Sequence, residues 1–215
     1  MTAGASRRLW DISQTLRPGL PVWPGDTPFS RRARWTLGEG SPVNVGSFET
    51  TVHAGAHADA PLHYHAGAAS AAQVALEPYI GRCRLVDARG CGAAITAAFV
   101  EAVLPAPPER VLFRTFAHFP HDAWPPSFTA VDAQAIVYLA AHGVRLIGVD
   151  SPSLDPQDSK TMDAHLAVLT ADMRVLEGLV LDEPPAGDYE LIALPLKLAA
   201  LDASPVRAVL RELGS

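Results

Sequence analysis

The sequence predicts a single domain that mixes β-strands with a few short helices, and three observations predict it. Its 215 residues suffice for one sizeable core, two small ones being the alternative. Short stretches that alternate apolar and polar residues, or run briefly apolar, recur along the chain as strands do. Between them lie segments that open on helix-capping residues and stop at proline or glycine.

Residues 10–16, Trp-Asp-Ile-Ser-Gln-Thr-Leu, alternate and read as a first strand. Arg17-Pro18-Gly19 turns the chain, and residues 21–26, braced by Pro21 and Pro24, cannot be helical. Trp23 sits between those prolines. It either caps a core edge or stands out as a stacking wall for an aromatic ligand, an arrangement that adds roughly 0.5–1.5 kcal/mol beyond area burial. Phe29 is a weaker candidate for the same wall. Residues 31–37 and 45–53 read as two more strands joined by a turn at 38–44, the second delivering His53 at its end.

Residues 84–88 form the next predicted strand. Thr96 then caps a helix to about residue 104, where Pro105, Pro107 and Pro108 stop it. A strand over 110–116 leads into an aromatic, proline-rich loop over 117–128. Its His118 and His121 lack a carboxylate at matching spacing and read as loop residues near a pocket mouth. Thr129-x-x-Asp132 opens a helix to His142 that Gly143 ends. Residues 144–150 read as a central strand, followed by Ser151-Pro152-Ser153 and a loop to 160. Thr161 or Asp163 caps a helix through 170 that carries His165 near its start. The strand predicted over 175–181 contains Glu177, either on an exposed polar face or held by a partner, since carboxylates are rarely buried alone.

Composition narrows the function. A net charge of −6 with 48% hydrophobic residues gives a globular chain with no basic stripe for nucleic acid. The longest apolar run, 191–201, contains Pro195 and Lys197 and cannot span a membrane. No apolar run follows Arg7 and Arg8 as a signal peptide requires. Cys83 and Cys91 form no CxxC pair and read as small buried side chains. Together these features fit a cytoplasmic enzyme.

The chemistry concentrates in His53-Ala-Gly-Ala-His57-Ala-Asp59-Ala-Pro-Leu-His63-Tyr-His65. Gly55 and Pro61 disfavour a helix, by roughly 1 and 3 kcal/mol respectively. On an extended segment His53, His57, Asp59, His63 and His65 all project to one side, because every spacing is even. Imidazoles with a carboxylate suit a borderline metal: zinc, with manganese, iron or cobalt as alternatives.

The pattern His53-x-Gly55-x-His57-x-Asp59-x-Pro61-x-His63 resembles the signature of the metal-dependent cyclase-like hydrolases, the bacterial kynurenine formamidases among them. That signature has threonine on either side of the glycine, where this chain has Ala54 and Ala56; the departure removes hydroxyls but no ligand. Residues 187–198 and 203–210 resemble the same group, so the likeness spans nearly the whole chain. It implies an α+β domain, residues 1–215, of the swivelling β/β/α type, assembled as a homodimer. It also implies that His165 and Glu177 complete a two-metal site with His53, His57 and Asp59, and that Trp23 lines the substrate pocket. The implied activity is hydrolysis of N-formyl-L-kynurenine to L-kynurenine and formate. Opening of isatin or a related lactam is the runner-up, and a metal-binding module without catalysis is a different class altogether.

Five ligands exceed what one catalytic zinc takes and suit two divalent ions, zinc the expected metal. A leaving amine still needs a proton. His63, beyond the ligand run, is the expected donor, with His65 as its competitor or as an orienting residue.

Overall fold

Two wholly apolar runs, Val111-Leu112-Phe113 and Leu146-Ile147, explain the middle of the architecture, because strands that read this way are covered on both faces. The computed structural model describes residues 7–214. Residues 1–6 and 215 of the expected 1–215 domain lie outside the described residues. In chain order the elements begin with β1 (Leu9–Asp11), β2 (Ser30–Trp35), β3 (Val45–Glu49), β4 (His57–Asp59) and β5 (Ile80–Asp87). Next come β6 (Ala94–Ile95), α1 (Ala97–Val103), β7 (Arg110–Arg114), β8 (Ala130–Val131), α2 (Ala133–Ala141) and β9 (Leu146–Val149). The chain closes with α3 (Asp163–Thr170), β10 (Arg174–Glu177), β11 (Gly187–Ile192), β12 (Ala203–Pro205) and β13 (Val209–Glu212).

Among the described residues, nine strands form one mixed sheet in the order β1-β13-β11-β5-β7-β9-β10-β4-β12. Its centre, β5-β7-β9-β10, is parallel, and the strands on either side of that centre are antiparallel. Successive side chains alternate between faces. Val111, Phe113, Ile147 and Val175 therefore meet the helices through Val100, Ile136, Leu139 and Val168. Leu112, Leu146 and Leu176 meet the antiparallel arm through Trp10, Ile12, Leu191 and Leu210. The class is α+β, as the resemblance implied, and β9 is central. No helix among the described residues is long and apolar enough to cross a membrane.

Several predicted boundaries shift for identifiable reasons. The first strand stops at Asp11, because the Ser13 hydroxyl takes the place of backbone, accepting from Ala208 N at 2.7 Å. Thr96 caps α1 as expected, accepting from Phe99 N at 3.2 Å. Asp132 rather than Thr129 caps α2, because Ala130 and Val131 are occupied in β8, paired with β6. Neither Thr161 nor Asp163 caps α3. The cap position falls on Met162 in the left-handed region (φ 54°), and the Asp155 carboxylate accepts from Ala164 N and His165 N at 3.0 and 3.1 Å. The strand predicted over 45–53 ends at Glu49, and β2 and β3 form a separate, exposed hairpin.

Candidate metal centre

β4 is three residues long, yet it orients two of the predicted ligands. His57 and Asp59 share one of its faces, and Ala58 packs into the core on the other. β10 pairs with it antiparallel, placing Glu177 opposite His57 and Val175 opposite Asp59, so Glu177 turns to the same face. That face looks toward α3, from which His165 descends. His57 Nε2 lies 3.5 Å from Asp59 Oδ1 and 3.4 Å from Glu177 Oε2. His165 Nε2 lies 3.4 Å from Asp59 Oδ2 and 3.3 Å from Glu177 Oε1.

These atoms are buried, and most lack hydrogen-bond partners. His57 Nε2, His165 Nε2 and both oxygens of Asp59 are unsatisfied among the described residues. An orphaned buried polar atom costs about 1–3 kcal/mol, more when charged. Four of them converging on one point are explained by a cation, and imidazole plus carboxylate is a donor set for a borderline divalent metal. The residues present therefore fit the implied metal. They form two overlapping groups, His53-His57-Asp59 and Asp59-His165-Glu177, that share Asp59.

The electrostatics agree. Burial opposes charge on His53, Asp59, His165 and Glu177, yet the neighbours prevail. The neighbouring imidazoles of His165, His53 and His57 hold the Asp59 carboxyl well below its usual range. Burial and the Asp59 charge oppose ionisation of Glu177, but His165 and His57 keep it low. Burial is likewise overcome at His53, which Asp59 and Asp202 push up to about 9. A cluster that draws protons onto its imidazoles is one that attracts positive charge.

The expectation of five side chains on one extended face is corrected. Gly55 adopts φ +62° and Pro61 opens a short 3₁₀ turn, so the paired strand runs only from His57 to Asp59. His53 arrives from a turn instead, with Nδ1 3.1 Å from Asp59 Oδ1 but without hydrogen-bond alignment. His63 sits on the 3₁₀ turn, its ring centroid 4.3 Å from that of His53. His65 is exposed, and its ring has no hydrogen-bond partner among the described residues, so it orients nothing.

Orientation comes from groups that sequence spacing did not reveal. Gly55 O lies 2.8 Å from His57 Nδ1, and Asp155 Oδ2 lies 2.6 Å from His165 Nδ1. Leu154 N donates to Glu177 Oε1 at 2.8 Å. Asp202 Oδ2 stands 3.0 Å from both His53 Nε2 and His63 Nδ1. Asp155 had one faint signal, an aspartate in the loop ahead of a helix. Asp202 had none.

Above the cluster opens a cavity of about 350 Å³ bordered by His53, His57, His63 and Glu177. It lies beyond the carboxyl ends of β7, β9 and β10, where open α/β sheets place their ligands. Trp23 borders it, edge-on to Trp124 at 5.3 Å, and Trp124 Nε1 donates to Gln157 Oε1 at 2.8 Å. Phe116 and Phe119 extend the aromatic wall. Phe29 does not join it; it stacks on Phe48 of the hairpin at 5.8 Å. His118 and His121 are exposed on the loop beside the cavity, outside its lining.

Gly178 ties these parts together at φ +64°, where an added Cβ would stand 2.5 Å from Gly55 O. Gly178→Ala is expected to cost about 2–4 kcal/mol from backbone strain and overpacking together. Gly90→Ala, at φ +84° with open space around it, should cost less. Urea denaturation of the two variants checks the difference, and equal midpoints would refute the close contact.

The comparisons with known proteins follow this geometry. The family model described as putative cyclase matches residues 10–156. A kynurenine formamidase of Erythrobacter litoralis is 54% identical over 209 residues, 97% of this chain and 96% of that protein. A solved structure described as a potential metal-dependent hydrolase with cyclase activity superposes with a TM-score of 0.84 at 29% identity, covering 98% of this chain and all (100%) of that one. Isatin hydrolase A of Ralstonia solanacearum shares the fold at a TM-score of 0.81 and 22% identity, covering 96% of this chain and 92% of its own. Sequence and backbone thus agree from end to end, and the chain belongs to the cyclase family.

Proposed function

We propose that this protein is an arylformamidase that hydrolyses N-formyl-L-kynurenine to L-kynurenine and formate. The observation that carries the reading is the set of unpartnered atoms of His57, Asp59 and His165 beneath an aromatic-walled cavity. The 54% identity to a kynurenine formamidase supports the substrate. His53, His57, Asp59, His165 and Glu177 would hold two divalent ions, with Asp59 shared between the two groups. Zinc is the metal proposed, on the mixed nitrogen and oxygen donor set.

Bound metal supplies Lewis acidity and makes water acidic enough to ionise near neutral pH. The rest is the work of side chains. Gly55 O and Asp155 fix the rings of His57 and His165, so each presents Nε2 inward. Trp23 and Trp124 face the aryl ring, and Phe116 and Phe119 exclude water from that end. His63, at the border of the cavity and half-exposed, gives a proton to the departing aryl nitrogen.

A panel of N-formylkynurenine, formanilide, acetanilide and isatin tests the reading in metal-loaded protein. A formyl carbon carries only hydrogen, so formyl substrates should be cleaved well ahead of acetyl ones. Equal turnover of formyl and acetyl anilides, or preference for isatin, would overturn it. Trp23→Ala should lower kcat/KM at least roughly 2- to 10-fold, chiefly through KM, as loss of ring stacking predicts. Its metal content should be unchanged by elemental analysis.

The proposal extends to a homodimer in the cytoplasm. In support, the β2–β3 hairpin is exposed throughout, with Trp35 61% and Phe48 64% accessible, and Cys83 and Cys91 are free thiols. Sedimentation equilibrium of the full chain checks the dimer.

A further inference from the structure

Asp202 lies far along the chain from the histidine run, and nothing in its local sequence marks it. Three backbone hydrogen bonds and pairings hold it in place. Its own carbonyl accepts from Ala60 N at 2.8 Å, and Leu201 O accepts from Ala71 N at 2.9 Å. Ala203, the next residue, begins β12 and pairs opposite Asp59. The chain is thus tied to the segments just before and just after the turn that carries His63.

From that position a single oxygen, Asp202 Oδ2, lies 3.0 Å from His53 Nε2 and 3.0 Å from His63 Nδ1. A carboxylate oxygen has two lone pairs and, when ionised, only accepts. Both facing ring nitrogens must therefore carry hydrogen. A neutral imidazole has one N–H, so the lone pair of each ring falls on its other nitrogen. For His53 that is Nδ1, which faces Asp59. For His63 it is Nε2.

We infer that Asp202 is a positioning residue that sets both tautomers at once, holding His53 with Nδ1 toward the metal ligands and His63 with Nε2 free to exchange a proton with the substrate. The inference rests on the proposed role of His63 as proton donor. His53, His63 and Asp202 also meet the spacing of a metal group. The two contacts at hydrogen-bond distance already occupy the oxygen such an ion would need, so these three form a relay of hydrogen bonds and not a third metal site.

The test uses zinc-loaded full-length protein. Long-range ¹H–¹⁵N correlation of ¹⁵N-histidine, with His63 identified by its absence in His63→Ala, should show neutral His63 protonated on Nδ1. The opposite tautomer would overturn the inference, and this measurement stands even if a variant fails to fold. Asp202→Asn, assayed at saturating zinc, should lose about 10- to 100-fold in kcat on N-formylkynurenine, with KM within about 2-fold. The loss should shrink on formyl-4-nitroaniline, whose leaving group needs little protonation. An equal loss on both substrates, or loss of a third equivalent of zinc, would overturn it. His63→Ala separates the two claims. If that variant stays near parental activity, the proton-donor reading itself falls. If it is disabled while Asp202→Asn keeps parental kcat on both substrates, only the role of Asp202 falls.

Discussion

His63→Ala is expected to lower kcat on N-formylkynurenine by roughly 10²- to 10⁴-fold, the usual contribution of a general acid, while the protein keeps its full metal content and melting temperature. The ring is about one-third exposed (side chain 31%) and makes its one hydrogen bond to Asp202, so its removal opens no cavity in the core. It is also absent from the two groups that share Asp59. The defect should be smaller on formyl-4-nitroaniline, because an aniline that leaves readily needs less protonation in the transition state. Steady-state kinetics on both substrates with elemental analysis of the same preparations decides the matter. A metal-depleted or nearly fully active variant would remove His63 from the mechanism.

The second large effect is at His57. Its Nε2 stands between Asp59 and Glu177 at 3.5 and 3.4 Å, and the residue is 3% exposed. His57→Ala leaves two buried carboxylates facing one another with a donor missing. Metal and activity should be lost together, the activity by more than about 10³-fold given that activated water is the nucleophile. A chelator should do the same to the parent, reversibly. Binding at about 100 times Kd stabilises the native state by about 2.7 kcal/mol, so the metal-loaded parent should melt roughly 5–11 °C above its chelated form. Calorimetry of the variant should show no such increment. A His57→Ala protein that still melts higher with zinc would place the metal elsewhere.

Much of this arrangement rests on short-range rules. The even spacing of His57 and Asp59 on a strand is enough to put both on one face. Thr96 caps its helix, Gly143 ends the next, and the apolar runs at 111–113 and 146–149 declare strands covered on both sides. These features depend on backbone geometry within a few residues, which side-chain pattern reports directly. The same rules failed where the chain leaves regular geometry. Even spacing cannot align His53, His63 and His65 with the strand once Gly55 takes a positive φ and Pro61 starts a turn.

Glu177 and His165 could be connected to the cluster only through resemblance, because no local pattern in β10 or α3 refers to β4. The tertiary structure decides their place through strand pairing, which sets Glu177 opposite His57, and through helix packing, which lowers His165 onto Asp59. Trp124, from a distant part of the chain, meets Trp23 for the same reason. Asp155 and Asp202 are the extreme cases. Each is an ordinary loop aspartate until the fold brings an imidazole to it, across 10 residues for His165 and 139 for His63. Ligand types are a local property of the chain, whereas the hydrogen bonds that orient those ligands form between segments whose separation in sequence carries no information about their separation in space.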